Sequence, residues 1–320
     1  MAQLFCYPIE YLCKKKTVNY FFNEFMDSNP IVCFGEILWD IFSENKKVGG
    51  APFNVATSLK GLGADVLFIS RVGKDPLGFE LLEEVRGHEI STEFIQIDST
   101  HPTGKVHVSL DQSGNALFEI EKNSAWDYIE VQSGGLEKVV KANAFIFGSL
   151  ITRGASLEAL HSFLKVAPFK VFDLNLRPPH YSAKLLLELA KLADMMKFNH
   201  DELYFLADLM ESPYHSLDQH ITFIAKETKT KTLCVTKGKF GAVLYHDGTW
   251  YYNSGFKINV KDTVGAGDSF LATLVYGILQ KLPMQLALDR ACAMGALVAG
   301  SEGANSKISE ADLNRFLRKE

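Results

Sequence analysis

The sequence predicts an α/β fold: a mainly parallel central sheet covered by helices on both faces, with a small antiparallel sheet beside its ligand end. Short, wholly apolar runs recur along the chain with helical segments between them, the pattern of strands buried on both faces. Residues 94–121 break that alternation with successive strand-like runs and no helix between them. The length of 320 residues, 47% of them hydrophobic and 22% charged, suits one large globular domain or one domain with a smaller appendage.

Residues 1–29 stand apart. They carry the basic run Lys14-Lys15-Lys16 after a weakly apolar start, the wrong order for an export signal. The sequence suggests a natural start at Met26, with residues 1–25 an overextension of the reading frame. The domain proper then runs over 30–320. Ile31–Phe34 reads as a buried strand ending at Gly35. Residues 54–62 set Val55, Leu59 and Leu62 on one helical face. A strand at 66–69 and a helix around 77–86 follow, and the series continues with strands at 145–147, 171–173 and 233–235. In such a sheet ligands bind beyond the carboxyl ends of the strands.

Strand-like runs at 94–97, 106–110 and 117–120, with a turn at 111–114, together with residues 37–48, suggest a flap of two separated insertions over that ligand end. On pattern alone an ordinary edge hairpin fits as well. A further hairpin over 241–252 turns at Asp247-Gly248, a favoured type I′ pair.

Composition excludes several classes of function. The net charge of −5 gives no electrostatic reason to expect nucleic acid. No stretch approaches the roughly 20 apolar residues of a membrane helix. The five cysteines, Cys6, Cys13, Cys33, Cys234 and Cys292, are scattered, which argues for a reducing, cytoplasmic setting. The histidines show no metal-ligand spacing. There is no Gly-x-x-x-x-Gly-Lys-Ser/Thr loop, and Gly238-Lys239-Phe240-Gly241 is not a dinucleotide fingerprint.

Chemistry concentrates in two runs. In Asp262-Thr263-Val264-Gly265-Ala266-Gly267-Asp268-Ser269-Phe270, small residues precede a helical pattern and leave backbone N–H groups open at its positive end, a site for phosphate. Asp268 would repel that ligand. It suits the site only by accepting a proton from an attacking hydroxyl, as phosphoryl transfer requires, or else it is a plain helix cap. In Gly49-Gly50-Ala51-Pro52-Phe53-Asn54, paired glycines permit close backbone approach and Pro52 suits a first helical turn. Asn54 can read a hydroxyl pair and Asp40 can accept from two hydroxyls, although a tight turn into a helix explains the run equally.

Together the two runs resemble the ribokinase-like, or PfkB, family of carbohydrate kinases over about residues 30–320. Gly49-Gly50, Pro52, Asn54, Ala56, Gly63 and Gly73 follow its first signature. Residues 262–272 follow its second, which departs at Thr273 where the family has Gly or Ala. The resemblance implies the ribokinase-like fold with its β lid, and ATP-dependent phosphorylation of a sugar hydroxyl in the presence of Mg²⁺. It implies Asp268 as base, the amides of Gly265, Ala266 and Gly267 as anion hole, and Asp40, Gly50, Asn54 and Arg177 around the sugar. Asn199 and Glu202 resemble the family's Asn-x-x-Glu element beside Mg²⁺ and phosphate. Thr236, Gly238 and Gly241 resemble its nucleotide loop. Asp262, the Val264 carbonyl, Val298, Ser301 and Gly303 correspond to a K⁺ site, and Cys292 stands near the adenine where relatives often carry a polar residue. Family members often dimerise through the lid, which makes a homodimer the one protein partner implied.

Gly35-Glu36-Ile37-Leu38-Trp39-Asp40, Pro52 and Asp173-Leu174-Asn175-Leu176-Arg177 most resemble fructokinases. Ribokinase, 2-keto-3-deoxygluconate kinase and nucleoside kinase remain alternatives within the family, and a catalytically idle sugar-binding regulator outside it.

Overall fold

A computed structural model describes residues 29–110, 116–301, 303 and 308–318. The proposed start at Met26 and the turn at 111–114 lie outside the described residues. The large sheet contains β1 (Ile31–Phe34), β4 (Val66–Gly73), β5 (Ile95–Asp98), β8 (Ala144–Gly148), β9 (Lys170–Asp173), β10 (Met195–Asn199), β11 (Thr232–Thr236), β12 (Ala242–His246) and β13 (Thr249–Asn253). Their order is β13-β12-β11-β10-β9-β8-β1-β4-β5. All pairs from β11 to β5 are parallel, and β11-β12 and β12-β13 are antiparallel. Asp247 (φ 46°) and Gly248 (φ 86°) both take the left-handed conformation in the turn between β12 and β13, as that turn type demands.

Successive residues of the parallel strands enter different cores. Val32, Phe34, Phe145, Phe147, Phe172, Met196 and Phe198 pack with helices α4 (Ser156–Leu164), α5 (Ala183–Leu192), α6 (His200–Leu209) and α7 (Leu217–Thr228). Ile31, Cys33, Phe68, Ile146, Val171 and Met195 pack with α1 (Ala51–Gly61), α2 (Pro76–Gly87), α8 (Ala266–Leu279) and α9 (Met284–Ala299) on the opposite face. Burial on both faces explains why these strands are wholly apolar rather than alternating. The short α3 (Gly135–Val140) precedes β8, and α10 (Glu310–Leu317) rests Leu313 against Met294 and Val298 of α9.

The small sheet comprises β2 (Leu38–Ile41), β3 (Lys46–Gly49), β6 (Gly104–Leu110) and β7 (Ala116–Ile120), in the order β3-β2-β6-β7. It consists of two antiparallel hairpins joined by a parallel β2-β6 pair. The strand at 94–97 does not join it. As β5 it pairs in parallel with β4, Ser70 opposite Ile95, at the edge of the large sheet. The reason is that α2 lies between β4 and β5, and a strand returning from a helical crossover lies parallel to its predecessor. Arg71 of β4 then holds Asp98 of β5 through an Nε–Oδ2 contact of 2.8 Å.

One consequence positions everything that follows. β1 sits between β4 and β8, so the chain leaves it toward one edge and later returns on its other side. At such a reversal the loops beyond the strand ends diverge and open a crevice.

Candidate active site

A cavity of ≈ 500 Å³ occupies that crevice, and the residues lining it come from the carboxyl ends of successive parallel strands. Glu36 follows β1, Gly148 ends β8, Asp173 ends β9, Asn199 ends β10 and Thr236 ends β11. The small sheet closes the other side. Asp40, Val106 and Ile120 are register partners across β2, β6 and β7 and turn the same face to the cavity, because side chains alternate along a strand. Phe118, 57% exposed, belongs to that face too.

The run at 265–268 contributes Gly265, Gly267 and Asp268 to the cavity wall. Gly265 is the N-cap of α8 at φ 77°, a conformation that favours glycine, and its position puts Ala266, Gly267 and Asp268 in the first helical turn. Asp268 is the acidic residue of that turn. Its Oδ2 accepts from Asn54 Nδ2 at 2.8 Å, so the two sequence motifs meet although 214 positions separate them. The N-cap position itself belongs to Gly265, and Asp268 stands three residues into the first turn. Burial raises the Asp268 pKa above the usual carboxylate range, with Lys197, the Asn54 hydrogen bond and Arg177 pulling the other way.

Gly50 initiates α1 at φ 113°, and a Cβ there would run into the Glu36 carbonyl. Asp40 lies against Gly49, and burial lifts its pKa to about 6 against the attraction of Arg177 and Lys47. Arg177 is exposed at the cavity mouth, with its guanidinium donating to the Leu176 carbonyl at 3.1 Å. Thr273 is buried without penalty, since its hydroxyl donates to the Ser269 carbonyl at 2.8 Å.

A second cavity of ≈ 730 Å³ adjoins the first, and Thr236, Thr263 and Gly267 line both. Gly238, Gly241, Phe256, Ala266 and Cys292 line the second cavity alone, which gives it an apolar and backbone character. Gly241, at φ 77°, packs against the Asn253 carbonyl so closely that no side chain would fit.

Glu202 is placed differently from Asn199. It is buried, and its Oε1 and Oε2 accept from the backbone N–H groups of Leu176 and Asn199, both at 2.8 Å. Asn199 Oδ1 accepts in return from Glu202 N–H at 2.9 Å, completing a capping box on α6. Glu202 therefore fastens the loops after β9 and β10 and does not line either cavity.

Of the residues matched to a cation site, Asp262 accepts from the Val264 N–H at 3.0 Å and from the Gly303 N–H at 3.3 Å. The Val298 carbonyl accepts from Ser301 N–H at 2.9 Å and the Ser301 hydroxyl donates to the Leu297 carbonyl at 3.0 Å, both closing the last turn of α9. The two segments are adjacent, since Asp262 N–H donates to the Ala299 carbonyl at 3.3 Å. Among the described residues no group of three or more His, Cys, Asp or Glu has the geometry of a metal centre, so a divalent ion would take most of its ligands from nucleotide phosphates and water.

Two residues escaped the sequence reading. Lys197, buried in β10, places Nζ 3.0 Å from both Asp173 oxygens, and a Cβ on Gly267 would be 3.4 Å from it. Burial alone would lower the Lys197 pKa, yet Asp173, Asp268 and Glu202 raise it, so the ammonium is held beside the start of α8. Glu36 is 4% exposed, and its Oε1 accepts from Ala51 N–H at 3.3 Å. A lysine inside an otherwise apolar strand was the available signal for the first. Glu36 carried none, because glutamates are ordinarily surface residues.

The pfkB family carbohydrate kinase model matches residues 12–311. The chain belongs to the pfkB carbohydrate kinase family. Among similar proteins, the probable chloroplastic fructokinase-6 of Arabidopsis thaliana is 30% identical over 285 residues, 82% of this chain and 72% of that protein. The fructokinase of Escherichia coli is 27% identical over 275 residues, 81% of this chain and 88% of that one. Among solved structures, Vibrio cholerae O395 fructokinase with fructose, ADP and calcium ion bound has a TM-score of 0.79 at 24% identity, covering 91% of this chain and 100% of that chain. That structure bears on the fold. As a pfkB carbohydrate kinase the chain is an ATP-dependent sugar kinase of fructokinase-like type, and no helix among the described residues is long and apolar enough to cross a membrane.

Proposed function

We propose that this kinase transfers the γ-phosphoryl group of ATP to the 6-hydroxyl of D-fructose, with Asp268 as the base. The observation that carries the reading is the Asn54–Asp268 hydrogen bond at the junction of the two cavities, with the α8 amides beside it. The sugar lies in the first cavity, held by Asp40, Gly50, Asn54 and Arg177. The nucleotide lies in the second, along Thr236, Gly238 and Gly241, with its phosphates directed toward Asn199 in the first. The sugar oxygen attacks the γ-phosphorus as the bond to the bridging oxygen of ADP breaks, and the hydroxyl proton passes to Asp268. The amides of Gly265, Ala266 and Gly267 stabilise charge on the transferring group. A carboxylate whose pKa is raised by burial accepts a hydroxyl proton more readily than an exposed one. Magnesium supplied with ATP offsets phosphate charge.

Fructose is favoured because the similar proteins of A. thaliana and E. coli are named fructokinases and the Vibrio protein was crystallised with fructose. An apolar face on the small sheet allows it to exclude water from the transfer when substrates are bound. ATP consumption with fructose, ribose and 2-keto-3-deoxygluconate, each in Na⁺ and K⁺ buffers, tests the assignment. Fructose should give the highest kcat/KM, with product carrying phosphate on O6, and turnover should rise in K⁺. Preference for another sugar overturns the fructose assignment, and indifference to K⁺ removes the cation from the reading.

A further inference from the structure

The lining of the sugar cavity contains more acid than base. Glu36, Asp40, Asp173 and Asp268 face it, against the cations Lys197 and Arg177. Asp173 is matched to Lys197 at 3.0 Å, and Asp268 accepts from Asn54. Glu36 has no such match. One oxygen accepts from the Ala51 N–H, while Oε2 is buried and, among the described residues, has no hydrogen-bond partner. Asn54 Oδ1, on the first turn of α1, is in the same condition. A buried polar atom left unpaired costs the full desolvation of the group, so two of them lining one cavity mark places where a ligand completes the bonding.

Resting on the sugar-kinase reading above, we propose that Glu36 is a specificity-determining residue whose free Oε2 hydrogen-bonds one hydroxyl of the bound sugar, alongside Asn54 Oδ1. Neither Asp40 nor Arg177 duplicates this contact, because Glu36 lies on the floor of the crevice directly after β1, whereas Asp40 belongs to the small sheet and Arg177 to the mouth. The contact is therefore made to a sugar seated at the strand ends, whatever position the small sheet takes.

The protonation state follows from the surroundings. Burial raises the Glu36 pKa to about 7; Asp268 adds to the rise, while Arg177 and the Ala51 N–H oppose it. A neutral carboxyl is then the form present below about pH 7, and it offers Oε2 as an O–H donor to a sugar oxygen. With the hydroxyl's own proton given to Asn54 Oδ1, its oxygen can only accept from Glu36, so ionisation removes the donor and sugar affinity, full below that pH, declines as pH rises through it. Asp268 titrates with the catalytic step, so a change in sugar affinity without a change in kcat separates Glu36 from it.

Two variants test the assignment in the full-length enzyme with the sugar it turns over best. Glu36→Gln keeps a donor, an acceptor and the bond to Ala51 N–H. It should retain sugar KM within about threefold and lose the decline of sugar affinity above pH 7. Glu36→Leu should raise sugar KM about tenfold or more, the scale of one lost buried hydrogen bond, with KM for ATP unchanged. The decisive measurement pairs Glu36→Leu with monodeoxy analogues of the sugar. One analogue should bind the native enzyme about tenfold more weakly than the parent sugar, yet bind Glu36→Leu as well as the parent does. A purely structural role would shift all analogues alike and overturns the proposal, as does unchanged sugar KM in Glu36→Leu. If Glu36→Leu does not fold, the absence of any pH-linked difference between Glu36→Gln and the native enzyme overturns it instead. A native enzyme that phosphorylates no sugar sinks the functional reading, and this inference with it, whereas good turnover with insensitive Glu36 variants sinks the inference alone.

Discussion

The two adjoining cavities are built on opposite plans. The one beneath the small sheet is lined by four carboxyl groups and two cations, drawn from strands, from loops and from the first turn of α8. Its neighbour beyond Thr263 and Gly267 is lined mainly by glycines, alanines, phenylalanines and aliphatic side chains, with Lys239 and Lys257 as its charged residues. The difference teaches where discrimination and chemistry reside. In the first cavity Asp173, Lys197 and Asp268 each have a particular partner, while Glu36 Oε2 and Asn54 Oδ1 have none among the described residues, so a single atom change there alters what is paired. In the second, shape and backbone do the holding, and a small side-chain change leaves the rest of the wall intact.

The largest contrast is expected from Asp268→Asn. It should lower kcat by about 10²-fold or more while sugar and ATP still bind, the scale of losing a general base. Steady-state kinetics with direct binding measurements check this, and near-normal kcat would remove Asp268 from the base role. The pH profile sharpens it. Because the Asp268 pKa is raised by burial, native activity should fall on the acid side at a pH above the ordinary carboxylate range, as the base becomes protonated. That limb should be missing from the residual activity of the variant.

Next in size is Lys197→Met. Removing the ammonium leaves Asp173 buried and unpaired, at a cost of about 3–5 kcal/mol in stability, which denaturant unfolding would measure. The double variant Lys197→Met with Asp173→Leu should recover most of that stability but not kcat, since the positive charge beside the start of α8 is still absent. Full recovery of kcat would make the pair structural only.

The smallest effect is expected across the divide. Cys292→Ser in the nucleotide cavity should move KM for ATP by no more than about threefold and leave sugar KM alone, because the thiol is held protonated by burial, its pKa pushed up to about 12, and acts as a small apolar surface. A large loss here would break the contrast between the cavities.

Legibility in the sequence divides along similar lines. The parallel strands were readable as apolar runs since each is buried on both faces, and the run at 265–268 was readable because its function depends on backbone amides at a helix start. The membership of β5 was not. Its apolar residues suit either sheet, and the deciding fact is that α2 intervenes and returns the strand parallel to β4. The part played by Glu202 was equally hidden: the spacing from Asn199 was visible, but that its oxygens are taken by two backbone amides depends on where β9 ends.

By itself, then, the sequence determined membership of a carbohydrate kinase family, through two motifs whose residues lie a few positions apart. It also determined the layered α/β architecture, through the period of its apolar residues. Only the tertiary structure decided which carboxyls share a cavity, which one a lysine neutralises, and that Glu36 is left with an unpaired oxygen facing the crevice. Burial and electrostatic environment are sums over atoms brought together from distant parts of the chain, and no local pattern carries that information.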